Sequence, residues 1–87
     1  MYKDFYSEEI TKKLSKLKKK DAVQYSKVRK KMDSILENPD ISYKFLHHEM
    51  KGFQRVHIGH FVLVFFIDHQ NKSISFEDYN HHDNIYQ

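Results

Sequence analysis

Arg55 and His57 stand two residues apart in "GFQRVHIGH". Side chains alternate along an extended strand, so this pair shares one face while Val56 and Ile58 share the other. The spacing sets a permanent cation close to a base that can be tuned around neutral pH. A second reactive set closes the chain in "NHHDNIYQ", which holds His81, His82, Asp83 and Tyr86. Neighbouring residues of an extended chain point opposite ways, so only one of His81 and His82 is expected to face Arg55 and His57. Asp83 either orients an imidazole or opens a terminal turn. The plainer alternative is that Arg55 and His57 lie on a wet sheet face and the last residues form a solvated tail.

Other chemistry has weaker support. The pairs His47/His48, His57/His60 and His81/His82 are suggestive by count, yet there is no helical H-E-x-x-H spacing and no cysteine. Strand geometry also keeps His47 and His48 on opposite faces. No metal centre and no cofactor are expected. No strained nucleophile elbow is visible, and Gly52 and Gly59 build no phosphate-cradling loop.

The elements that must position these residues are legible from periodicity. Ser7 is placed as a helix N-cap, with Glu8 and Glu9 in the first turn where the helix dipole favours acids. Ile10, Leu14 and Leu17 follow as an apolar stripe. Asp21 opens a second helix, and Gln24 completes a capping-box pattern. Tyr25, Val28, Met32, Ile35 and Leu36 form its buried face, and Pro39 stops it. From Ser42 the period becomes two. Four strands are expected near Tyr43–His48, Phe53–Ile58, His60–Ile67 and Ser73–Asp78, with turns at "MKG" and "HQNK" and a tight turn at Gly59. "FVLVFFI" is apolar on both faces, as a central strand covered on each side would be. A helical pair followed by an antiparallel sheet predicts a single α+β domain over residues 1–87. A short C-terminal tail or helical turn completes it.

Bulk composition narrows the class. A domain of 87 residues buries only about 60–65% of its unfolded surface, so its margin of stability is thin and a partner is expected. The start "MYKDFYSEE" has no cationic-then-apolar leader, and the longest apolar run, Phe61 to Ile67, is far short of a membrane span. A soluble cytoplasmic protein is expected. Net charge is only +3, but residues 1–36 carry 11 Lys/Arg against 5 Asp/Glu, whereas residues 37–87 carry 4 against 7 and all seven histidines. The first half is therefore an electrostatic surface, and the second holds the groups that titrate near neutrality.

The order of elements and these residues together resemble the RelE/ParE superfamily of toxins from type II toxin–antitoxin pairs, an archaeal RelE above all. The likeness spans almost the whole chain. "GFQRVHIGHFVLVFF" resembles the family's run of basic, apolar, basic, apolar, glycine and hydrophobic strand, with Arg55 and His57 at the basic positions. "NHHDNIY" resembles its closing His-Arg-x-x-Val-Tyr signature, with His82 at the arginine and Tyr86 at the tyrosine. The resemblance implies a ribosome-dependent mRNA endoribonuclease that inhibits translation, with Arg55, His57, His82 and Tyr86 as catalytic residues. It also implies an acidic RelB-like antitoxin, the ribosome and mRNA as partners. Ten Lys/Arg between Lys12 and Lys31 suit a surface that docks on RNA, Lys16, Lys19, Lys20 and Lys30 foremost, with Lys51 and His81 as further RNA-binding candidates. Three positions depart from the pattern. Val62 stands where RelE-type enzymes commonly carry arginine, His82 replaces another arginine, and His57 replaces a lysine or arginine. This either moves the mechanism toward histidine acid–base chemistry, as in YafQ-like relatives, or signals weaker activity. A ParE-like poison of DNA gyrase, acting by binding alone, and a non-toxic nucleic-acid-binding module are the alternatives.

Overall fold

The computed structural model describes residues 1–46 and 52–85. Its elements run β1 (Lys3–Tyr6), α1 (Glu8–Lys20), α2 (Ala22–Glu37), β2 (Lys44–Phe45), β3 (Phe53–Ile58), β4 (Phe61–Asp68), β5 (Ser73–His81) and α3 (His82–Ile85). The strands form one sheet in the order β1-β5-β4-β3-β2. The pairs β2–β3, β3–β4 and β4–β5 are antiparallel, and β1 joins β5 in parallel. The fold is α+β, as expected, but the sheet has five strands rather than four. The extra strand is β1, three of whose four residues are exposed. It has no inside–outside alternation to read, and its pairing with Ser73–Phe76 is what makes it a strand.

Local chemistry sets the helix ends. Ser7 accepts from the Ile10 amide at 3.1 Å, and Asp21 accepts from the Gln24 amide at 3.1 Å, each filling one of the open donors of a first turn. Only half of the expected capping box forms. The Gln24 side chain donates to the Tyr79 hydroxyl at 2.9 Å, while the Asp21 amide closes α1 on the Leu17 carbonyl. α2 ends at Glu37, with Asn38 as its cap, before Pro39. Gly59, at φ +65°, makes the turn between β3 and β4, a conformation that glycine adopts without steric cost.

The helices cover one face of the sheet. Ile10 and Leu14 of α1, with Val28, Met32, Ile35 and Leu36 of α2, pack on Ile58, Leu63, Phe65, Ile74, Phe76 and Tyr79. A smaller cluster lies on the opposite face: Leu46, Val62 and Val64, with Phe53 and Ile85 against them. Val62 is wholly buried and Val64 nearly so. β4 is therefore covered on both sides, which is why its sequence is apolar throughout. A β-bulge interrupts the β4–β5 ladder between Val64 and Phe65. There α1 is tied down: the Ser7 hydroxyl donates to the Glu77 carbonyl at 2.6 Å, and Lys13 pairs with Asp78 at 2.7 Å. Among the described residues no helix is long and apolar enough to cross a membrane.

Candidate functional site

The register of β3 decides which side chains meet. Arg55 lies opposite Val64 and His57 opposite Val62, on the sheet face away from α1 and α2, while Val56 and Ile58 belong to the helix-covered core. An Arg55 Nη1 lies 3.4 Å from His57 Nε2, the cation-beside-imidazole arrangement that their spacing predicts. β5 then runs three residues further than the expected Asp78, to His81. The His82 amide donates to the His60 carbonyl at 2.8 Å, fixing the point where strand becomes helix.

That transition separates the adjacent histidines. His82 stacks on His57, with ring centroids 5.5 Å apart and planes at 28°. His81 pairs with Phe61 in the ladder, lies edge-on to its ring at 5.5 Å, and stacks near His60 at 6.3 Å. One of the two histidines reaches Arg55 and His57, and it is His82. Asp83 belongs to the terminal turn, α3, and its carboxylate lies near both imidazoles but beyond hydrogen-bond distance of either, 3.6 Å from His82 Nδ1 and 3.7 Å from His81 Nδ1. Its exposure makes either contact worth little in stability. α3 is held over this face by Ile85, which packs on the Val62 and Val64 cluster.

Lys44 also belongs to this face, and reading the sequence missed it. It pairs directly with Arg55 across the β2–β3 ladder. A two-residue strand has no periodicity from which that partner could be read. Loss of hydration first, then the positive charges of Arg55, His82 and Lys44, hold the His57 pKa below the ordinary histidine value. Lowering follows because each of these effects disfavours the imidazolium. A permanent cation, an imidazole kept neutral at pH 7 and a second imidazole at the start of the terminal turn can together supply charge stabilisation and proton transfer. Among the described residues no group of three or more His, Asp or Glu is placed to hold a metal ion.

The remaining candidates lie elsewhere. Lys16, Lys19, Lys20 and Lys30 are exposed on the helices, across the sheet from Arg55. Three cations of the same basic stretch are engaged within the domain, Lys18 among them over the Tyr25 ring at 5.8 Å. Lys13 is paired with Asp78, and Arg29 donates to the Tyr6 hydroxyl at 3.3 Å from above its ring. Tyr86 and Lys51 lie outside the described residues, as do His47, His48 and most of the "MKG" turn.

Comparison with known proteins gives a consistent assignment. No protein-family model matches the chain, and no solved structure does. The protein named "Putative toxin RelE4" of Methanocaldococcus jannaschii is 44% identical over 88 aligned residues, covering 100% of this chain and 93% of its own length. An uncharacterized protein of Methanosarcina mazei is 49% identical over 79 residues, covering 90% of this chain and 91% of its own. With two helices packed on a mainly antiparallel sheet, and with likeness of this degree running from end to end, the chain belongs to the RelE family of toxins.

Proposed function

We propose that this protein is the toxin of a toxin–antitoxin pair and acts as a ribosome-dependent mRNA endoribonuclease. The observation that carries the reading is the convergence of Arg55, His57 and His82 from β3 and the start of α3 onto one sheet face. In the reaction a ribose 2′-oxygen attacks the adjacent phosphorus and the P–O5′ bond breaks, leaving a 2′,3′-cyclic phosphate and a 5′-hydroxyl. His57, kept neutral, takes the 2′-hydroxyl proton. His82 in its protonated form gives a proton to the departing 5′-oxygen. Two imidazolium rings in stacking contact repel each other, so double protonation of the pair is disfavoured. Arg55, with Lys44 beside it, offsets the charge that develops on the phosphorane. Tyr86 would position the phosphate or stack beneath a base. An acidic RelB-like antitoxin and the ribosome are the partners, and the cytoplasm is the place of action.

The test is cleavage of mRNA on translating ribosomes by wild type and by Arg55→Ala, His57→Ala, His82→Ala and Tyr86→Phe. Loss of on the order of a hundredfold or more is expected for an acid–base participant. If all four variants cut at the wild-type rate, the assignment is wrong. One observation favours a rival reading. Val62, at the position where RelE-type enzymes commonly carry arginine, is wholly buried against Leu46 and Ile85, so no cation can be offered from there. A poison that binds DNA gyrase without chemistry would need none. Induction would then cause DNA damage with mRNA left intact.

A further inference from the structure

A second surface lies on the helix-covered side of the sheet. It is a groove of about 580 Å³ between the C-terminal half of α1, the start of α2 and the end of the β4–β5 ladder. Phe61 and Tyr79 line it together with Lys16, Lys20 and Gln24. The two aromatic rings are stacked, 5.0 Å apart and nearly parallel at 10°, and the Gln24 side chain holds the Tyr79 hydroxyl. Lys13 lines the groove as well but is paired with Asp78, so Lys16 and Lys20 are the cations that project for a ligand.

From the groove a row of four rings runs to the β3–β4 turn at the end of the sheet. Tyr79 stacks on Phe61, Phe61 meets the edge of His81, and His81 stacks near His60. The next residue, His82, passes to the other face and stacks on His57. We propose that this groove binds single-stranded RNA, one base against Phe61 and the flanking phosphates on Lys16 and Lys20, as the upstream or downstream continuation of the strand held at Arg55. Every base has a face that can stack on an aromatic ring, and lysines accept phosphate without reading sequence, so such a site holds RNA of any sequence. An acidic peptide would satisfy the lysines, but the row of Tyr79, Phe61, His81 and His60 suits a stacking polymer. The proposal takes its ligand class from the endonuclease reading and is tested by binding, so the two can fail separately.

The probe is a fluorescent 2′-O-methyl oligoribonucleotide carrying a 4-thiouracil base, which cannot be cut because no 2′-hydroxyl is free. In anisotropy, Lys16→Gln with Lys20→Gln should weaken binding about tenfold or more and flatten the plot of log affinity against log salt by roughly 1.4. The charge-matched control Lys3→Gln with Lys72→Gln should change it far less. Phe61→Leu should weaken binding on the order of tenfold. Photocrosslinks of the wild-type protein, which do not depend on how any variant folds, should map to peptides containing Phe61 or Tyr79. Affinity of the Lys16/Lys20 variant equal to the control, or crosslinks confined to the Arg55 strand, overturns the proposal. So does protection of Lys16 and Lys20 from acetylation by an acidic antitoxin but not by RNA. Tight binding in the groove with no cutting of natural mRNA supports the groove and removes the nuclease reading instead.

Discussion

The imidazoles of His57 and His82 stack at 5.5 Å, and Arg55 Nη1 stands 3.4 Å from the His57 ring on the same sheet face. The contact joins a strand in the middle of the chain to a helical turn at its end. It sets the protonation of His57 against the neighbouring ring and a charge that never titrates.

The first prediction is the direction of that coupling. Because the folded-state pKa of His57 lies below 6.5, its neutral form dominates at pH 7 and is lost as pH falls. Cleavage should therefore decline on the acid side through the His57 midpoint. The unfolded chain binds the proton more readily, so this group's contribution to stability is complete above its unfolded value. It is lost as pH falls through the folded one. In NMR titrations of the His57 ring, Arg55→Ala should move the midpoint up, and His82→Ala should do so by less. A midpoint indifferent to both changes would show that the neighbouring charges do not act on it.

The exposed helical lysines should matter to docking and not to folding. Lys19→Gln with Lys30→Gln changes side chains that lie on the solvent face, and each substitution should alter stability by less than about 0.5 kcal/mol. Ribosome pelleting should show weaker association and a shallower dependence on salt. Unchanged pelleting with an unchanged circular dichroism spectrum would remove these two residues from the docking surface.

Ile85 ties the terminal turn to the sheet. Ile85→Ala takes a half-buried side chain from Leu46, Val62 and Val64 and should cost about 1–2 kcal/mol in urea unfolding. His82 should also loosen from His57, so the rate of cleavage should fall by more than the loss of stability explains. A variant that is less stable but fully active would show that the stacking is not needed for the chemistry.

Ser7 does two tasks at the start of α1, capping Ile10 and donating to the Glu77 carbonyl at the bulge. Ser7→Ala should cost about 1–2 kcal/mol. In a domain of this size that is a fall of roughly 4–8 °C in melting temperature per kcal/mol. Ser7→Asp should restore the cap but not the donated bond, and should recover only part of the loss. Equal melting temperatures for Ser7→Ala and wild type would rule out both tasks.

Sequence alone determined what is local or periodic. Both helices, their caps at Ser7 and Asp21, and the doubly covered strand through Val62 and Val64 follow from spacing and turn chemistry, because each depends on residues within a few positions. The shared face of Arg55 and His57 is equally local, a consequence of the pleat. What tertiary structure decided is everything set by register and by where an element stops. β1 exists only because β5 offers it an edge. Lys44 joins the site only through its partner across the ladder. Gln24 leaves its cap because Tyr79 stands within reach. Geometry of an extended chain allowed only one of His81 and His82 to face Arg55. That it is His82 depended on β5 continuing to His81, so that the strand-to-helix transition falls between the two rings.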